Sequence, residues 1–164
     1  MEGLEVYIQV MKDSLKEKQE IMKQLLDATI EQKEVLHSDS SKAIICDAIM
    51  AKVDEKAELL KRLEFNDSGF EKVYRRVRDD LMREKDKYRT DIMVMDDMIK
   101  KIVDDSVKLQ ALEMNNKEQI DTFLKSEREK VKSFNLVRAN SKAYYQHMAN
   151  QHQPEQSYFL DSKH

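Results

Sequence analysis

Glycine and proline occur at only three positions in this chain, Gly3, Gly69 and Pro154, so residues 4–68 and 70–153 run without a strong helix breaker. Strands would need alternating polarity and frequent turns, and the sequence supplies neither. What it supplies is a helical period. Leu4, Ile8, Met11, Leu15, Met22, Leu25 and Leu36 follow alternating steps of four and three, with Lys18, Thr29 and Gln32 in the remaining seam positions. A stripe interrupted by polar residues holds a helix only when a partner helix lies against it.

The first pattern stops at His37-Ser38-Asp39-Ser40-Ser41, whose short polar side chains suit a turn and the free amides of a new helix. A second stripe follows in Ile45, Cys46, Ile49, Val53, Leu60 and Leu63. Cys46 sits within it and reads as a small buried hydrophobe rather than a reactive thiol. Ser68-Gly69-Phe70-Glu71 has the spacing of a capping box and predicts the start of a third helix. From there Phe70, Tyr74, Val77 and Leu81 lead into Tyr88, Ile92, Met95, Ile99, Ile102 and Leu109. The two registers are joined by steps of three, four and four through Glu84, a stutter that places a discontinuity between residues 84 and 92. The later register continues through Ile120, Phe123, Phe134, Val137, Tyr144 and Met148, diluted by Ser106, Glu113, Asn116, Glu127, Lys130 and Ser141.

These patterns predict an all-α protein, an elongated antiparallel bundle or coiled coil of three to four long helices with a short flexible tail. The expected helices cover about 2–37, 40–65, 69–87 and 88–150, the last two continuous or broken at the stutter, in one domain of residues 1–153 followed by a tail of 154–164. Their lengths do not match. The first two span roughly 50 Å and 40 Å, whereas residues 88–148 as one rod span about 90 Å. An apolar strip should therefore stay uncovered toward the carboxyl end, the kind of surface that receives a partner.

Composition marks the same region. Residues 134–164 hold five of the eleven aromatic side chains but only five of the 61 acidic and basic ones. Residues 143–154 carry no formal charge, and Pro154 ends any helix before Ser157-Tyr158-Phe159-Leu160-Asp161. A helix-in-groove surface is expected here, with Phe134, Val137, Tyr144, Tyr145 and Met148 as contacts and Tyr158, Phe159 and Leu160 as a clamp.

Other functions find little support. Charged residues are 37% of the chain, against about 25% in ordinary domains. With a net charge of −3, nucleic acid is not the expected partner; the cluster Lys72, Arg75, Arg76 and Arg78 is interleaved with Glu71, Asp79 and Asp80 and reads as a solvated face. No apolar run approaches the ~18 residues that span a bilayer, no leader is expected, and a lone cysteine suits a reducing compartment, so the expected location is the cytoplasm. Glu34-Val35-Leu36-His37 matches one half of a di-metal carboxylate motif, but no other histidine has a glutamate three residues before it. No phosphate loop or nucleophile elbow occurs. No metal, cofactor or catalytic residue is expected. The clustered Met93, Met95 and Met98 read as gap fillers of a narrow seam.

Several segments resemble the FlgN-type flagellar export chaperones. Glu31-Gln32-Lys33-Glu34-Val35-Leu36 running into Ser38-Asp39, then Val53-Asp54-Glu55-Lys56, resembles the hairpin of that family. The more specific likeness is the terminal block, Lys142-Ala143-Tyr144-Tyr145 followed by Tyr158-Phe159-Leu160-Asp161-Ser162-Lys163. The resemblance implies a chaperone for the hook-filament junction proteins FlgK and FlgL, a carboxyl-terminal region that receives an amphipathic helix of the client, and docking at the export gate FlhA through a tyrosine. The alternative is a structural coiled-coil subunit that buries the same strip in its own homodimer.

Overall fold

The computed structural model describes residues 2–125 together with Tyr144, and these residues form three helices and no strand. Helix α1 is Glu2–Leu36, α2 is Lys42–Arg83 and α3 is Arg89–Lys125. The turn between α1 and α2 is built from the expected serines. Ser38 donates its hydroxyl to the Val35 carbonyl (2.7 Å), and Ser41, in an extended conformation, accepts from the Ile44 amide (3.3 Å) as the N-cap of α2.

The expected break at Ser68-Gly69 does not occur: α2 runs through it for 42 residues, about 63 Å. The reason is tertiary. Between Leu63 and Phe70 the seam position falls on Asp67, whose carboxylate takes a 2.6 Å bond from Lys18 of α1, so the heptad pattern continues in phase with a charge in place of an apolar side chain. One residue earlier, Asn66 donates to the Ser14 carbonyl (2.9 Å) and accepts from the Ser14 hydroxyl (3.1 Å). Gly69 keeps a negative φ. Packing along α1 thus outweighs a local capping preference.

The chain does turn where the stutter lies. Glu84 closes α2 by donating its amide to Asp80 (3.0 Å), and residues 84–88 form a turn pinned by Tyr88, whose side chain is buried. Ile92 then donates to the Tyr88 carbonyl at 2.9 Å as α3 gets under way.

Side-chain bonds fix the directions. Ser14 meets Asn66, Glu17 meets Arg62 and Glu31 meets Lys52, so α2 runs antiparallel to α1. Lys12 meets Asp91, Thr29 meets Glu113 and His37 meets Gln119, so α3 runs parallel to α1. Helix α1 is thus the common neighbour of the other two, which also meet each other directly through the Lys56–Glu113 bond.

Over the described residues the α3 seam is covered. Ile92, Met95, Ile102, Leu109, Ile120 and Leu124 of α3 are all buried, so no bare seam remains between residues 89 and 125. Residues 126–143 and 145–164, including the expected continuation to 150 and the tail, lie outside the described residues.

Candidate functional site: a buried charged layer

Two apolar clusters make up the interior. The larger runs from Leu4 and Tyr88 at one end through Leu15, Leu25, Leu63 and Leu109 to Tyr144; the smaller joins Ile45, Cys46, Ile49 and Val53 of α2 to Ile120 and Leu124 of α3. Polar seam residues from all three helices lie between them. Lys56, 1% exposed, donates to Gln32 Oε1 (2.7 Å) and Glu113 Oε1 (2.8 Å). The Thr29 hydroxyl lies 2.9 Å from the same Glu113 oxygen and 2.7 Å from the Leu25 carbonyl, and its one proton serves one of them at a time. Asn116 donates to the Thr29 carbonyl at 2.8 Å. The Tyr144 ring covers the group, its centroid 4.5 Å from Lys56 Nζ.

Sequence reasoning found most of this layer without recognising it. Thr29, Gln32, Glu113 and Asn116 were assigned to the seam as residues that dilute it; they are instead buried and bonded to one another. Lys56 was missed, although the step from Val53 to Leu60 skips the seam position that it fills. The energetic character is mixed. Burial, opposed by the attraction and hydrogen bond of Glu113 and by Glu55, holds the Lys56 ammonium below its ordinary lysine value. Glu113 Oε2 and Asn116 Oδ1 are buried acceptors that no hydrogen bond reaches. Such a layer contributes little net stability. Its effect is on register: sliding α3 by one heptad would set Ser106 or Ile120 against Lys56 and leave an ammonium buried without its carboxylate.

Lys18 and Asp67 form a second, smaller layer nearer the α2–α3 turn, beside a cleft lined by Ser14, Leu15, Phe70, Ile99 and Ile102. Burial pushes Lys18 below and Asp67 above their ordinary values, and the attraction between them opposes both shifts. The pH dependence follows from the signs. A lysine with a lowered folded value imposes its full penalty below that value, and the penalty fades as pH rises toward 10.5. An aspartate with a raised folded value imposes its penalty above that value, and the penalty fades as pH falls toward 3.8. Urea unfolding of the wild type and of Lys18→Met/Asp67→Leu should therefore show the wild type at its greatest relative disadvantage near neutral pH, recovering toward both extremes. A difference that is flat with pH would show that the pair is solvated.

Of the expected contact residues, Tyr144 is described, and it is not a surface: at 3% exposed it belongs to the main core. In the free chain its ring faces the Lys56 ammonium rather than solvent. Phe134, Val137, Tyr145, Met148, Tyr158, Phe159 and Leu160 lie outside the described residues. Cys46 is buried, as its place in the stripe implied. The methionine group divides: Met95 is fully buried, Met98 packs at the core edge and Met93 is 59% exposed. His37 engages Gln119 at 2.8 Å, and among the described residues no group of three His, Cys, Asp or Glu side chains is placed to hold a metal ion. Among the same residues no helix is long and apolar enough to cross a membrane. No protein-family model, no curated protein and no solved structure matches this chain.

Proposed function

We propose that this chain is a cytosolic export chaperone of the FlgN type, which sequesters FlgK and FlgL by binding an amphipathic helix and delivers them to the gate protein FlhA. The observation that carries the reading is the terminal block, Lys142-Ala143-Tyr144-Tyr145 and then Tyr158-Phe159-Leu160-Asp161-Ser162-Lys163, attached to an all-helical body. The body is read as part of an elongated antiparallel bundle of three to four helices with a carboxyl-terminal tail. Its action is sequestration without chemistry: covering the client's apolar helix face prevents premature assembly, and moderate affinity allows release at the export apparatus.

The burial of Tyr144 changes how this reading is tested. Truncation before it would remove a core side chain, so loss of binding would not separate a damaged fold from a missing contact. The informative variant is Tyr158→Ala/Phe159→Ala/Leu160→Ala in the full chain. The wild type should form a one-to-one complex with FlgK or FlgL by light scattering, and the variant should bind about tenfold or more weakly with unchanged helicity. Undiminished binding would rule out the clamp. Failure of the wild type to bind either client would rule out the function.

A second reading has its own support. Met93 (59% exposed), Val107 (56%) and Met114 (65%) recur at heptad multiples along the outer side of α3, with Lys100 between them. A structural subunit would bury this row in a homodimer. A dimer whose mass does not change with dilution or with added client would favour that reading over the chaperone.

A further inference from the structure

Two oxygens of the buried charged layer are left over once its hydrogen bonds are assigned. Glu113 Oε2 and Asn116 Oδ1 have no partner among the described residues, and the two residues are 2% and 0% exposed, so bulk water does not reach them either. Neither is left over through a choice of orientation. Asn116 donates its amide nitrogen to the Thr29 carbonyl at 2.8 Å; turning the amide over would set oxygen against oxygen there, so Oδ1 must face away. Glu113 commits Oε1 to Lys56 (2.8 Å) and the Thr29 hydroxyl (2.9 Å), and exchanging its two oxygens leaves the same remainder. Lys56, the nearest cation, is turned to Gln32 Oε1 and to the Tyr144 ring besides.

The two oxygens share one neighbourhood. Glu113 and Asn116 are three residues apart on α3, hence on one side of that helix, and both reach the same residue of α1, Glu113 at its hydroxyl and Asn116 at its carbonyl. Thr29, and Ala28 beside it, are buried and small, where Leu25 fills the turn before them. An occupant of this level must therefore be small and must donate two hydrogen bonds. Charge sets a third requirement. Lys56 and Glu113 already balance each other, so a monovalent cation or an added proton would bond both oxygens only by leaving the Lys56 ammonium buried without a free counter-charge. A neutral donor of two hydrogens meets all three conditions.

We propose that Glu113 Oε2 and Asn116 Oδ1 form a binding site for a buried water molecule, which donates one hydrogen to each and completes the layer. Globular proteins hold about one such water per 27 residues, each with two to four hydrogen bonds to groups of this kind. With the water in place the carboxylate and the amide are both fully bonded, the condition under which a buried polar layer fixes a single packing of its helices rather than loosening the core. Because Glu113 is one of its two anchors, this water leaves with the carboxylate and does not stand in for it at Lys56. The proposal does not depend on the terminal block and stands or falls separately from the chaperone reading.

The test uses the full-length protein, in crystals and in solution. A crystal structure that shows ordered water should carry a density peak about 2.5–3.0 Å from both Glu113 Oε2 and Asn116 Oδ1, with no anomalous signal at that peak from crystals grown in rubidium chloride. A rubidium signal there would make the occupant a cation, and direct contact of the two oxygens would make it a shared proton; either overturns the proposal, as does the absence of a peak. Oxygen-17 relaxation dispersion of the solvent counts long-held waters without crystals. Asn116→Leu keeps the size of the side chain, removes the acceptor and touches neither charge, so it should hold one long-held water fewer than the wild type. Val107→Ala, on the exposed side of α3, should hold the same number as the wild type. The cleft beside Lys18 and Asp67 is open to water of its own, so the difference between variants decides, not the total. Equal counts for Asn116→Leu and the wild type would overturn the proposal.

Discussion

Glu113→Ala should destabilise the protein by about 3–5 kcal/mol, although it removes only one surface-type side chain from a chain rich in them. The magnitude comes from what is left behind. With the carboxylate gone, the Lys56 ammonium stays enclosed, keeping the Gln32 bond, the Tyr144 ring and the more distant Glu55 charge among the described residues. Because Lys56 is 1% exposed, water does not replace the lost partner without opening the core. Chemical denaturation of the wild type, Glu113→Ala and Lys56→Met measures the effect. Removing the layer as a whole should behave in the opposite way. Gln32→Leu/Lys56→Met/Glu113→Leu deletes both charges and the acceptor that would otherwise be stranded, and should be neutral or up to about 4 kcal/mol more stable than the wild type. A cost below about 1 kcal/mol for Glu113→Ala would mean that the pair is solvated.

The layer also shows how far the sequence could be read. Heptad spacing assigned Lys18, Thr29, Gln32, Glu113 and Asn116 to the seam, but spacing says where a side chain points, not what meets it. That a lysine and a glutamate fifty-seven residues apart share an oxygen contact follows only from the mutual register of three helices. The same limit explains the helix ends. Ser38 and Ser41 act through their own neighbours, so the first turn was legible in local chemistry. The stutter at Glu84 was legible because a phase change in the pattern is itself a sequence property. At Ser68-Gly69 the local signal was genuine and was outweighed by Lys18 and Ser14, fifty residues away. The client face rests on a mismatch between the first two helices and a rod of residues 88–148, and a 42-residue α2 is still shorter than that rod. The continued α2 lengthens the cover beside the start of α3, at the 84–88 turn, and the residues on which the mismatch bears, beyond 125, lie outside the described ones.

The continuity of α2 has its own decisive substitution. Gly69→Pro should destabilise the protein by about 3 kcal/mol or more, because proline at a helix-interior position deletes the Gly69 amide bond to the Phe65 carbonyl and places its ring against that oxygen. Had Ser68 capped a new helix, Gly69 would occupy its first position, where proline is among the favoured residues and its missing amide proton is not needed. The two architectures thus predict opposite results from one variant. Gly69→Ala supplies the companion measurement. Its added methyl meets nothing within 4 Å, so it should stabilise α2 by about 1 kcal/mol. If the alanine stabilises and the proline is tolerated, α2 is two helices. If the alanine stabilises and the proline unfolds the region, a single rod carries the chain past Asp67. The penalty should then appear as lost hydrogen-exchange protection centred on the Asn66 and Asp67 contacts to α1, rather than at the 84–88 turn.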